Sequence, residues 1–164
     1  MSSERFLRNL VLALVGIVGA SALAGAQTAT QTVTFAVNAI NQIAFVGAPS
    51  LTITTAVAGS QPTSATVGTS TWAVTTNQSN AKISASIPLA MAAGLTLSVN
   101  LTAPATATSA GLQPLTTTAV DLVTVITKLA VGSLSATYQL DATAAAGVVT
   151  SATRVVTYTI SGGV

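Results

Sequence analysis

The chain has 164 residues, of which 50% are hydrophobic and only 5% charged, with a formal net charge of +2 and neither cysteine nor histidine. So little charge offers no basic patch for phosphates, which argues against a nucleic-acid partner. Disulfides, thiol chemistry and the common zinc ligands are missing by composition.

Residues 1–9 set Arg5 and Arg8 against Glu4, residues 10–18 form an apolar run, and small residues lead to Ala24-Gly25-Ala26 before Gln27. That order is the layout of a secretory signal peptide, helical through its apolar part and cleaved after Ala26. A retained span needs about 20 apolar residues, and this run is shorter and ends in a cleavage site. Without cysteine there is no acceptor for a lipid anchor. The expected organisation is a signal peptide over residues 1–26 and one β-sandwich domain over 27–164, exported to the periplasm, the outer cell surface or the medium, with no membrane span after cleavage. A domain of that length can close a real core.

After residue 26 the only charged side chains are Lys82, Lys128, Arg154, Asp121 and Asp141. Threonine and alanine dominate instead, and threonine covers a solvent-facing pleat without charge. In residues 27–39 the threonines at 28, 30, 32 and 34 fall on one face while Val33, Phe35 and Val37 share the other, a period of two that predicts a half-buried strand. Short strands are expected at 43–46 and 51–54 around the turn Gly47-Ala48-Pro49-Ser50, then a loop or weak edge strand over 56–70.

Residues 71–76 put Trp72 and Val74 on one face, and 82–87 turn Ile83, Ala85 and Ile87 inward until Pro88 stops the strand. Trp72 is the natural central plug, because large aromatics bury the most area. Residues 91–94 form a connector with room for one helical turn, and 95–101 alternate most cleanly, Leu95, Leu97, Val99 and Leu101 against Thr96, Ser98 and Asn100. After a loop over 105–118, the crowded apolar stretch 119–126 reads as a strand with a bulge or one buried on both faces. Residues 128–132 connect to a C-terminal hairpin of 133–141 and 153–160, with Tyr138, Leu140, Val156, Tyr158 and Ile160 inward and Arg154 solvated. The sum is an all-β sandwich of about eight or nine strands.

Catalytic equipment is thin. General acid/base work draws on His, Glu, Asp or Lys placed together, and after residue 26 only the two aspartates and two lysines remain. No catalytic, cofactor-binding or metal-binding residue is assigned, no cofactor is expected, and the chain reads as a non-enzyme. Ser79-Asn80-Ala81-Lys82 fits S-x-x-K, but its partner motifs are missing and it lies in a turn between strands. A lysine–asparagine amide crosslink would need Lys82 or Lys128 buried with Asp121 or Asp141, against the usual solvation of such charges. Asn77-Gln78-Ser79 and Asn100-Leu101-Thr102 fit the N-x-S/T glycosylation pattern. Thr-Ser-Ala recurs at 63, 108 and 150, with flanks too different to count as a repeat.

The runs QTVTFAVNAI (31–40), TTNQSNAKISASI (75–87) and YQLDATAAAGVVTSATRVVTYTI (138–160) resemble secreted bacterial β-sandwich proteins of the broad fimbrial and spore-coat-like kind. The resemblance implies an immunoglobulin-like sandwich with a structural or adhesive role. Pilins assembled by a chaperone and usher often carry a disulfide, and this chain has none.

Two functions follow as expectations. One is a self-associating surface or extracellular subunit of a pilus, fibre or coat. Natural sheets guard their edges with charge and proline, and threonine-rich edges lacking both accept a neighbour's strand; residues 27–37 are the candidate donor, with pairing inside their own sheet as the alternative. The other is a module that binds an envelope component or glycan, with Trp72 beside Asn77 and Asn80 as its platform.

Overall fold

The computed structural model describes residues 25–163; the signal peptide expected over residues 1–26 lies outside them up to residue 24. The chain divides into two units, Met1–Ala36 and Val37–Val164. In the described part of the first, residues 25–36, no strand forms and every residue is exposed. This corrects the half-buried strand expected at 27–39. Alternation specifies two faces, but a strand exists only where an edge pairs with it, and among the described residues these pair with none.

The second unit is all β. Its strands are β1 (Asn41–Val46), β2 (Ala65–Thr76), β3 (Ala81–Ser86), β4 (Leu95–Leu101), β5 (Thr108–Ser109), β6 (Gln113–Pro114), β7 (Val120–Ile126), β8 (Leu129–Ala142) and β9 (Thr157–Gly162). They form two antiparallel sheets, β1-β2-β8-β4-β6 and β5-β7-β3-β9. No helix among the described residues is long and apolar enough to cross a membrane.

The core lies between the sheets. Leu101, Leu122 and Ile126 are buried there with Trp72, Val74, Ile83 and Ile87. The clean alternation of 95–101 becomes β4 with the same bounds. Of the two forms expected for residues 119–126, the bulged strand is the one found, and Asp121 and Val125 leave its other face exposed. Leu122 and Val123 are buried in succession, and the β3–β7 register shifts on either side of Ile83. Val125 takes a φ of 61° within β7, a conformation that a β-branched residue adopts only where the surrounding ladder imposes it. Gly47, just past β1, has a φ of 120°. A Cβ there would lie 3.0 Å from the Ser70 Cα, so the tight exit of β1 against β2 requires glycine.

Five other expectations change. The C-terminal hairpin does not exist. β8 pairs with β2 and β4, and β9 pairs with β3 in the other sheet. Residues 143–156, including a 3-10 turn at Ala144–Ala146, cross between the sheets instead of turning back. Alternation reports which face of a strand is buried, not which neighbour it joins, and a connection this long leaves the neighbour free. Residues 129–132 belong to β8, residues 65–70 belong to β2, and 51–54 form no strand, although Leu51 packs on the core. Arg154 is half-buried: its Nη1 and Nη2 donate to the carbonyls of Thr153 and Ala90 at 2.9 and 3.3 Å.

Candidate functional site

The two long sides of the sandwich differ. On one side the chain passes from β5, the outermost strand of one sheet, into β6, the outermost strand of the other. Ser109 Oγ donates to the Leu101 carbonyl at 2.7 Å, and the Ala110 and Leu115 amides donate to Leu122 and Leu97 at 2.8 Å each. That side is stitched shut by covalent chain.

The other side is a seam between β1 and β9 that no backbone ladder closes. β1 pairs only with β2, and β9 only with β3. Among the described residues no backbone hydrogen bond joins β1 to β9. Side chains bridge them. Asn41 Nδ2 donates to the Gly162 carbonyl at 3.5 Å, and the Phe45 and Tyr158 rings stack with centroids 3.8 Å apart and planes 16° from parallel. Half-buried Ile43, Val156 and Ile160 continue the apolar lining. Neither strand carries a charged residue, so both edges lack the guard that sheets normally place there.

Aromatic packing extends from the seam inward. Phe45 stacks on Trp72 at 6.2 Å, and the Tyr138 and Tyr158 hydroxyls share a hydrogen bond of 2.7 Å from opposite sheets. Every aromatic residue after position 26 except Phe35 is in this cluster. Burial, then the hydrogen bond and charge repulsion from Tyr138, push the Tyr158 phenol far above its usual range. The sign follows from which form is favoured. Folding holds Tyr158 protonated, so its contribution is complete below the unfolded tyrosine pKa of about 10 and fades as pH rises beyond it. The urea midpoint is therefore expected to stay level up to about pH 10 and fall above it, with a shallower fall in Tyr158→Phe. Identical alkaline profiles for the two proteins would contradict this assignment.

Trp72 is 1% exposed, and its indole N–H and the buried Ser70 Oγ have no hydrogen-bond partner among the described residues. The ring offers no face to a sugar. Asn77 serves elsewhere: its Oδ1 accepts from the Ile40 amide at 2.8 Å, its Nδ2 donates to the Asn38 carbonyl at 2.7 Å, and its own amide donates to the Ile40 carbonyl at 3.2 Å. These bonds extend the β1–β2 pairing outward past Asn41 and fix the chain's direction just after residue 37.

The remaining candidates stay apart. Ser79 lies in the β2–β3 turn, and Lys82 on β3 pairs with Asp121 on β7 at 3.0 Å, with side chains 47% and 44% exposed. This is a surface ion pair, without the burial that an amide crosslink needs. Asp141 accepts hydrogen bonds from Ser64 Oγ and from Gln139 Nε2. Lys128 lines a shallow depression of about 330 Å³ with Ile40, Thr76, Asn77 and Leu129. Among the described residues no three His, Cys, Asp or Glu side chains gather as a metal cluster would.

The sequence reading missed the seam because it depends on which strands become edges. The parity shared by Ile43 and Phe45, and by Tyr158 and Ile160, was its one visible signal. Comparison with family models, with curated proteins and with solved structures finds no match to this chain.

Proposed function

We propose that the chain is a non-enzymatic exported structural protein that self-associates as a pilus, fibre or coat subunit, with residues 27–37 of one copy added as a strand at the β1/β9 seam of another. One observation carries this reading: Val33, Phe35 and Val37 share a face and are 71%, 88% and 78% exposed, in a chain whose seam presents two unguarded, unpaired edges. Strand addition supplies main-chain hydrogen bonds along β9 and covers the alternate apolar side chains at once. The strand order supports an immunoglobulin-like arrangement, β1-β2-β8-β4 facing β3-β9, in which a strand beside β9 extends the second sheet. The resemblance to secreted fimbrial and spore-coat-like proteins and the signal-peptide layout agree with assembly outside the inner membrane.

Deletion of residues 27–37 tests the reading. Electron microscopy and light scattering of the purified protein are expected to show filaments or sheets that vanish in the deletion variant, while far-ultraviolet circular dichroism keeps its β signature. Assembly that survives the deletion removes the segment from the mechanism. The binding-module alternative loses its platform with the burial of Trp72.

A further inference from the structure

We infer that the Phe45–Tyr158 stack, anchored by the Tyr138 hydroxyl, is a latch that holds the β1/β9 seam shut in the unassembled subunit and parts when a strand enters. The inference rests on the function proposed above.

Spacing is the first argument. Hydrogen-bonded strands lie about 4.7–4.9 Å apart, so a strand seated between β1 and β9 requires roughly twice that separation. No ladder forms between β1 and β9. The space between them is occupied by the touching rings of Phe45 and Tyr158, so a strand can enter only where these part.

What ties the two strands together is visible. The two rings touch across the gap at 3.8 Å, and the Asn41 amide reaches the Gly162 carbonyl at 3.5 Å. The rings are the stronger tie, because the hydrogen bond is long and exposed. Tyr158 is also fastened from behind. Its hydroxyl meets that of Tyr138, 7% exposed, on the central strand of the opposite sheet. Moving β9 outward therefore pulls on the stack and on this bond together.

Incomplete burial is the second argument. Ile43, Phe45, Val156, Tyr158 and Ile160 are all half-buried, unlike the fully buried Trp72 and Ile83 deeper in the sandwich. A strand carrying Val33, Phe35 and Val37 on one face would cover them, and that burial offsets the loss of the latch. A closed seam in the lone subunit shields this apolar lining until a second copy arrives.

The test compares initial assembly rates of the purified full-length mature protein with those of Phe45→Leu and Tyr138→Phe, at matched concentration, by light scattering. Phe45→Leu keeps an apolar side chain but removes the stack; Tyr138→Phe keeps the ring and removes the hydroxyl bond. Each is expected to assemble roughly 2- to 12-fold faster, the factor set by one aromatic pair or one hydrogen bond. Rates unchanged or lower in both variants, with circular dichroism intact, overturn the latch. Hydrogen exchange of the unassembled proteins gives a second readout: β9 amides are expected to exchange faster in both variants than in the parent. If the parent chain never assembles, the proposed function fails, and the exchange result alone decides the latch, with unchanged β9 exchange counting against it.

Discussion

Replacing Trp72 with alanine is expected to destabilise the domain by about 3–5 kcal/mol, a large share of the roughly 5–15 kcal/mol that separates folded from unfolded chains of this kind. The ring sits on β2 opposite Phe45 on one neighbour and Leu134 on the other. It is 1% exposed and packs with the Phe45 ring. Truncation removes its transfer energy and leaves a cavity whose walls are strands in both sheets, which cannot collapse without breaking register. Trp72→Phe sharpens the expectation. It keeps most of the apolar volume and deletes an indole N–H that has no partner, so part of the packing loss is offset by relief of an unsatisfied donor. Urea unfolding followed by circular dichroism measures both, with the alanine midpoint well below that of the phenylalanine variant. An alanine midpoint within about 1 kcal/mol of the parent would mean that Trp72 does not hold the sheets together.

The second large effect falls on assembly and spares the fold. Phe35 is 88% exposed, so Phe35→Asp is expected to leave the thermal midpoint of the unassembled chain unchanged. In an assembled seam the same change buries an unpaired carboxylate, which costs several kcal/mol; about 3 kcal/mol corresponds to a weakening near 100-fold. Thr34→Asp places the identical charge one residue away, on the opposite face, and is expected to weaken assembly far less. Sedimentation of the two variants across a concentration series decides the matter. Equal effects would show that the two faces of the segment are not distinguished, and the strand-donor reading would fall.

Much of the fold was legible wherever one face of a strand meets a core inside the chain. The leucine row of β4, the inward Ile83 and Ala85 of β3, and the buried Trp72 all follow from a period of two with large apolar residues on one parity. The bulge in β7 was half legible: the crowded apolar residues of 119–126 fit a bulge or burial on both faces, and only the register against β3 decides between them. Partner choice was not legible. The tyrosines of β8 and β9 mark inward positions, but nothing in their alternation distinguishes pairing with each other from contact across the sandwich. Residues 27–39 show the same limit from the other side. Their pattern is that of a strand, while no edge among the described residues pairs with it. The seam was hidden for the related reason that an edge is a property of the whole sheet order, fixed by where β5 and β6 close the far side.

Asn77 gives the domain a mechanical character. A pull arriving through residue 37 meets the backbone at Asn38 and Ile40, where the Asn77 side chain and amide hold it, and passes directly into the β1–β2 ladder from Asn41↔Thr76 to Val46↔Thr71. Because β1 continues from that clasp, the Asn77 bonds share the load with the first rung of the ladder, Asn41↔Thr76. In a chain of linked copies, the two ladders would be loaded in series, so each joint would be as strong as the weaker of the one a copy lends and the one that anchors the lender.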